Sequence, residues 1–304
     1  MPLVDRAIAS LLPLVPKPLV RAVARPYIAG ETVAELVAAL TRLNHDGCMA
    51  AAGMLGELVE SRGEAEAAVR GYESVLEAIE RRNIDSNIHV KPTHLGLKID
   101  ETFCFENLRR LAGAARECDN FVRIDMEDAS CATATLALHA RLREEFDNVG
   151  TVIQSYLRRS LDDVRALVRM PKPPNVRLCK GVYIEPRTVA YSQREIIQDN
   201  FVWLLQELLD AGCYVGIATH DEHLVWRAAK VIDRMQIDRS RYEFQMLLGV
   251  QPSLRRIILD AGHRLRVAAP FGPQWYPYSV RRLRKNPAIA KHVIQAMLSR
   301  ERWA

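Results

Sequence analysis

The sequence predicts an α/β protein of the (β/α)8 TIM-type barrel class. From residue 47 onward, eight short apolar runs alternate with long helical stretches. Alternation of this kind builds a parallel sheet with helices outside it, and eight repeats close the sheet into a barrel. The length agrees, because 304 residues are many for one ordinary domain yet fall in the range where an α/β barrel is a single unit. Third, the polar residues of the runs gather at their C-terminal ends, the side on which such barrels build sites. A doubly wound open sheet is the competing arrangement.

The runs, in order, are GCMAAAG (47–53), NIHVK (87–91), FVRID (121–125), TVIQSY (151–156), VRLCK (176–180), YVGIAT (214–219), YEFQM (242–246) and RLRVAAP (264–270). Each is short, rich in apolar residues and bounded by turn or charged residues, as a buried parallel strand should be. Between them lie stretches with helical periodicity, such as ETFCFENLRRLAGAARE (101–117), TVAYSQREIIQDNFVWLLQELLDAG (188–212) and DEHLVWRAAKVIDRM (221–235). No linker of low complexity and no fixed-period repeat interrupts the series. Two units are therefore expected: an N-terminal arm over residues 1–30 and one barrel domain over 31–304.

Composition narrows the function classes. Forty-two Lys and Arg against 37 Asp and Glu leave a formal charge of +5, a mild bias that fits an anionic ligand or surface; nucleic acid would need a denser patch. Six cysteines (48, 104, 118, 131, 179, 213) show no CxxC pairing, and no secretory leader precedes them, so reduced thiols and a cytoplasmic setting are expected. No apolar run approaches the roughly 20 residues of a membrane span. The arm MPLVDRAIASLLPLVPKPLVRAVARPYIAG mixes apolar residues with Arg6, Lys17, Arg21 and Arg25 against Asp5. Such a segment suits peripheral contact with an anionic membrane face. A short arm packed on its own domain is the alternative, since Pro13, Pro16 and Pro18 break any long helix.

The run ends select candidate site residues without reference to any relative: Lys91, Asp125, Gln154, Lys180, Thr219 with His220, and Gln245 with Met246. Lys91 and Asp125 end different strands and are expected to face each other across the mouth, either steering an amine and its proton or plugging the barrel as a structural ion pair. Glu127 and Asp128 follow in DMED, but no histidine cluster accompanies them, so no metal is expected. RLCKGVY places Arg177 and Lys180 before Gly181, where backbone can approach a ligand closely. ATHD offers a hydroxyl, an imidazole and a helix N-terminus with Asp221 as its cap residue. With Gln154 and Gln245, these groups describe a site for a large polar cofactor. Neither GxGxxG nor GxxxxGK[ST] is present, so the barrel itself must hold that cofactor. Near the C-terminus, YSVRRLRKNP (278–287) sets Arg281 and Arg282 side by side one helical turn after Tyr278. This is either a solvated basic face or an arginine fork for a carboxylate or phosphate.

The ordered set LGE (55–57), HVKPTHLG (89–96), RIDMED (123–128), VIQSYLRRS (152–160), VRLCKGVY (176–183), ATHD (218–221), YEFQMLLGV (242–250) and WYPYSVRRL (275–283) resembles the proline dehydrogenase family, especially its short monofunctional bacterial members. The resemblance runs from about residue 28 to about residue 299 and implies non-covalently bound FAD and a last helix laid over the barrel mouth. By the same resemblance, Arg281 and Arg282 bind the substrate carboxylate, Tyr278 closes the pocket, and Lys91 and Asp125 belong to it. Leu178 and Tyr183 form the wall around the ring. Met126, Gln154, Arg177, Lys180, Gly181, Thr219, His220, Gln245, Met246 and Arg282 fall at flavin positions. Glu57 matches the carboxylate that gates the site with Arg281.

Four positions depart from the family pattern. Lys285 stands where a glutamate near the flavin is expected, Ala268 where proline-specific members usually place a tyrosine against the substrate ring, Ile184 where an aromatic residue follows KGxY, and Asp221 where ATHN is usual. The expected function is FAD-dependent oxidation of L-proline to Δ1-pyrroline-5-carboxylate, with electrons passed to a membrane quinone from the inner face of the membrane. A dehydrogenase for hydroxyproline or another cyclic imino acid is the first alternative, because of Ala268. A flavin- or imino-acid-binding regulator without turnover, because of Lys285, is the second.

Overall fold

The computed structural model describes residues 20–21, 24–276 and 278–279. The first helix, α1, is Val33–His45. Strand and helix then alternate: β1 Met49–Met54, α2 Arg62–Arg81, β2 Ser86–Val90, α3 Glu101–Glu117, β3 Val122–Ile124, α4 Ala129–Leu142, β4 Val149–Gln154 and α5 Ser160–Val168. The second half continues with β5 Asn175–Cys179, α6 Arg194–Asp210, β6 Tyr214–Ala218, α7 Glu222–Arg234, β7 Tyr242–Leu247, α8 Pro252–Asp260 and β8 Leu265–Phe271. All eight strands pair in parallel and in chain order, and β8 returns to β1 with Ala268 opposite Ala51, closing the barrel. Every expected run is a strand. The N-terminal arm as far as residue 19, Arg281, Arg282, Lys285 and the expected last helix lie outside the described residues.

Local chemistry sets the helix starts. Thr32 and Ser61 each open a helix with a capping box, in which a glutamate three residues on bonds back to the cap backbone. Asp100 accepts from Phe103 N–H and Asp128 from Ser130 N–H. Each such cap satisfies backbone donors that have no partner in the helix and is worth about 1 kcal/mol. One helix begins later than its periodicity predicts. Residues 188–193 do not join α6, because Ala190 bridges Leu157 and the Tyr191 N–H donates to the Tyr156 carbonyl at 2.7 Å. That backbone is committed to the loop after β4.

The strands have two unlike faces. Ile88, Val90, Val122, Ile124, Val149, Ile153, Val176, Leu178, Val215, Ile217, Phe244 and Val267 belong to the buried core shared with the helices. At about 1.5–3 kcal/mol for each large apolar side chain removed from water, that layer drives closure. Alternate residues face the barrel interior, and many of these are polar or charged: His89, Asp125, Arg177, Glu243, Gln245 and Arg266. The interior accommodates them only because neighbouring positions are small. A Cβ on Gly216 would overlap the Gln245 amide, and one on Gly53 would overlap the His89 ring.

Gly216→Val should therefore destabilise the protein by about 1–3 kcal/mol, the usual cost of overpacking a filled interior. Gly113→Ala should stabilise it by about 0.5–1 kcal/mol, since Gly113 lies within α3 with open space where a Cβ would go. Urea denaturation of both variants checks the pair; equal effects would contradict this account of the interior.

Candidate active site

The strand ends converge on two cavities at the C-terminal face of the barrel. One, of about 320 Å3, is lined by His89, Asp125, Arg177, Lys180, Gly181, Thr219, His220, Gln245, Met246 and Ala268, among others. The other, of about 500 Å3, is lined by Glu57, Lys91, His94 and Tyr278 among others. Most of the residues selected from the strand ends thus meet in the first cavity, while Lys91, Glu57 and Tyr278 meet in the second. Leu178 is fully buried in the core shared by strands and helices, and Met126 is buried in a small cluster with Ala132 and Val152.

A chain of charge-assisted hydrogen bonds crosses the interior below the first cavity. Asp125 Oδ2 lies 2.8 Å from His89 Nδ1, and its Oδ1 accepts from Arg177 Nη1 at 2.5 Å. Arg177 Nε donates to Gln245 Oε1 at 2.6 Å, and Gln245 Nε2 donates to Glu243 Oε1 at 2.6 Å. Glu243 also accepts from Arg266 Nε at 2.8 Å and from the Tyr214 hydroxyl at 2.7 Å. Burial alone would raise the Asp125 carboxyl, but His89 and Arg177 beside it hold it well below the usual carboxylate range. Glu243 behaves alike: burial raises it, and the Arg266 guanidinium, together with the Tyr214 and Gln245 donors, more than reverses the effect.

Lys91 and Asp125 do not pair. The Lys91 ammonium donates to Glu57 Oε2 at 2.7 Å, so the two expected partners belong to adjacent ion pairs, each about one-quarter exposed or less. Glu57 is thus tied to Lys91 in the lining of the second cavity; Arg281, its expected gating partner, lies outside the described residues. Glu127 accepts from the Thr93 N–H at 2.9 Å and from its hydroxyl at 2.6 Å, and burial still pushes its pKa up.

At the rim, Lys180 Nζ, Arg194 Nη2 and Gln198 Nε2 all donate to Asp221 Oδ2, at 3.1, 3.0 and 2.8 Å. Asp221 makes no side-chain cap bond to α7; these donors hold its carboxyl at about 2 although burial opposes them. The His220 Nε2 accepts the Leu247 N–H at 2.8 Å. Gln154 donates to the Met126 and Glu127 carbonyls, while its own buried Oε1 has no partner. A buried acceptor left without a donor is costly unless a ligand completes it.

Sequence reading alone missed His89, Thr93, Glu243 and Arg266. A signal existed for His89, which lies two residues before Lys91 and so on the same strand face. The interior Glu243 and Arg266 sit at the starts of runs, where attention to strand ends does not reach. Among the described residues, no group of three or more His, Cys, Asp or Glu is placed to hold a metal, and no helix is long and apolar enough to cross a membrane.

Arg266→Met removes the cation that keeps Glu243 ionised, and breaking a buried pair costs about 3–5 kcal/mol. In the wild type Glu243 has a lowered pKa, so its contribution is present above its unfolded value of about 4.3 and is lost as pH falls through its folded value. Without the arginine, burial raises the folded value, and the contribution is instead lost as pH rises. The stability gap between variant and wild type should hence narrow from pH 7 to pH 5 in urea titrations; a gap independent of pH would contradict the pairing.

Comparison with known proteins agrees with this architecture. The family model for proline dehydrogenase matches residues 36–295. The chain is 34% identical over 277 residues to proline dehydrogenase 1 of Bacillus subtilis (strain 168), covering 91% of each. It is 34% identical over 280 residues to the proline dehydrogenase of Deinococcus radiodurans, covering 90% of each. Among solved structures, proline utilization A (PutA) from Bdellovibrio bacteriovorus, inactivated by N-propargylglycine, superposes with a TM-score of 0.84 at 24% identity. That match covers 92% of this chain but only 36% of the PutA chain, and at such identity it speaks for the fold alone. With two near-full-length relatives and a family match across most of its length, this chain belongs to the proline dehydrogenase family.

Proposed function

We infer that this protein oxidises L-proline to Δ1-pyrroline-5-carboxylate with a bound flavin, FAD. The single observation that carries the reading is the cavity at the strand ends, where Asp125, Arg177, Lys180, Gly181, Thr219, His220, Gln245, Met246 and Ala268 meet. These residues suit the cofactor. Gln154 Oε1 is an unsatisfied buried acceptor for a donor such as a flavin ring N–H, Lys180 and Arg177 supply positive charge, and Gly181, with φ of +101°, lets the chain pass where a Cβ would strike Tyr156. Met126, Gln154, Arg177, Lys180, Gly181, Thr219, His220, Gln245, Met246 and Arg282 would hold FAD.

When bound, the flavin supplies the hydride acceptor; the protein supplies position and electrostatics. Arg281 and Arg282 fix the proline carboxylate in our reading, while Lys91 and Asp125 shape the electrostatics of the pocket, Asp125 with fixed negative charge beside the ring nitrogen. Tyr183, Leu178 and Tyr278 enclose the ring, and Glu57 with Arg281 gates entry. The electron acceptor is a membrane quinone, reached by peripheral contact through the basic, apolar residues 1–30, with residues 31–304 as the catalytic domain.

Ala268 favours a second reading, oxidation of a hydroxylated proline. Its methyl lines the cavity beside Ala51, and a pocket with spare room rejects an added hydroxyl poorly. Anaerobic reduction of the flavin by L-proline and by trans-4-hydroxy-L-proline tests both readings. Wild type should be bleached by proline with little discrimination against hydroxyproline, and Ala268→Tyr should shift kcat/KM toward proline by about tenfold or more. No bleaching by either substrate would exclude the oxidation, and an unchanged ratio in the variant would remove Ala268 from specificity.

A further inference from the structure

None of the roles assigned above uses His89. We propose that His89, oriented by Asp125, is the base that accepts the proton of the substrate's ring nitrogen. The inference rests on the proline-oxidising reading.

At neutral pH the ring nitrogen of proline is a secondary ammonium, and its electron pair is held in an N–H bond. One proton must leave before C5 can release hydride. The freed pair then forms the C5=N bond while the C5–H pair departs to the flavin, giving an iminium. Loss of the second N–H proton yields neutral Δ1-pyrroline-5-carboxylate. Each turnover therefore sheds two protons from nitrogen and one hydride from carbon, and the first proton needs an acceptor in the cavity.

Among the described residues lining the flavin cavity, the ionisable side chains are His89, Asp125, Arg177, Cys179, Lys180, His220 and Arg266. Arg177, Lys180 and Arg266 are cations without an acceptor. Asp125 already accepts from His89 and Arg177, and both hold it ionised against its burial, which makes it a poor base. Burial pushes the Cys179 thiol up to about 11. The His220 Nε2 lone pair takes the Leu247 N–H. His89 remains.

Its geometry suits the role. An ionised Asp125 can only accept, so His89 Nδ1 is the donor across the 2.8 Å contact. In the neutral ring the lone pair is then on Nε2, which is buried and has no hydrogen-bond partner. The ring edge carrying Nε2 lies over Gly53, where any Cβ would overlap it. When Nε2 takes a proton, Asp125 stabilises the imidazolium, as a buried carboxylate does for a catalytic histidine elsewhere. The charged groups around the ring are Asp125 directly after β3 and Arg177 on β5, the latter reaching it through Asp125, with Lys91 and its partner Glu57 one step toward the mouth. The Tyr72 hydroxyl donates to the His89 carbonyl at 3.0 Å and fixes the backbone.

The test compares FAD-loaded wild type, His89→Gln and His89→Asn in anaerobic stopped-flow reduction by L-proline from pH 6 to 10. Reduction of the wild type verifies the reading beneath the proposal. The variants should be slower at pH 7 by about 100- to 10,000-fold, the usual contribution of a general base. Their deficit should shrink as pH rises and the amine loses its proton unaided. A deficit equal at every pH, or none, would overturn the proposal. Nitrogen NMR of histidine-labelled protein gives a readout independent of turnover. The signal lost in His89→Gln should report a protonated Nδ1 and a bare Nε2 at pH 8. A protonated Nε2 there would overturn the assignment whatever the reduction rates show.

Discussion

The structure depends on a buried run of opposite charges inside the barrel, from Asp125 through Arg177, Gln245 and Glu243 to Arg266. Taking ions out of water costs several kcal/mol each, and only close, fully bonded partners offset it. The contacts of 2.5–2.8 Å along this chain meet that condition. It also explains why Gly216 and Gly53 have no side chain, since the space is taken by Gln245 and His89. The apolar layer outside the strands closes the barrel; the polar run inside decides how the floor of the cavity is charged.

That division of labour accounts for the site. Asp125 stays ionised although buried, because two donors face it from β2 and β5. Gln245 is shared, accepting from Arg177 and donating to Glu243, so its position is fixed from both sides. Lys91 is anchored by Glu57 from the loop after β1 rather than by Asp125. Rim and floor are therefore held by separate sets of bonds. A change at Glu57 should loosen Lys91 without disturbing Asp125.

Much of this was legible in the sequence. Apolar runs reveal strands because a parallel barrel buries its strands on both faces, and all eight were found where the pattern placed them. Run ends reveal the mouth, which is why Asp125, Lys180, Thr219, His220, Gln245 and Met246 line one cavity. Pairing was less legible. The expected partnership of Lys91 with Asp125 gave way to Lys91 with Glu57 and Asp125 with His89, because strand position sets the level of a residue but not which neighbour its side chain reaches. The start of α6 was also misplaced, since periodicity does not register a backbone bridge such as Leu157 with Ala190.

The most direct test of the interior charge run is a double-mutant cycle on Asp125 and Arg177, read by urea denaturation. Asp125→Asn and Arg177→Met should each cost about 3–5 kcal/mol, because each leaves a buried partner uncompensated. The double variant should be less destabilised than the sum of the two by at least about 1 kcal/mol. Strict additivity would mean that the two side chains do not depend on each other, and would contradict the account.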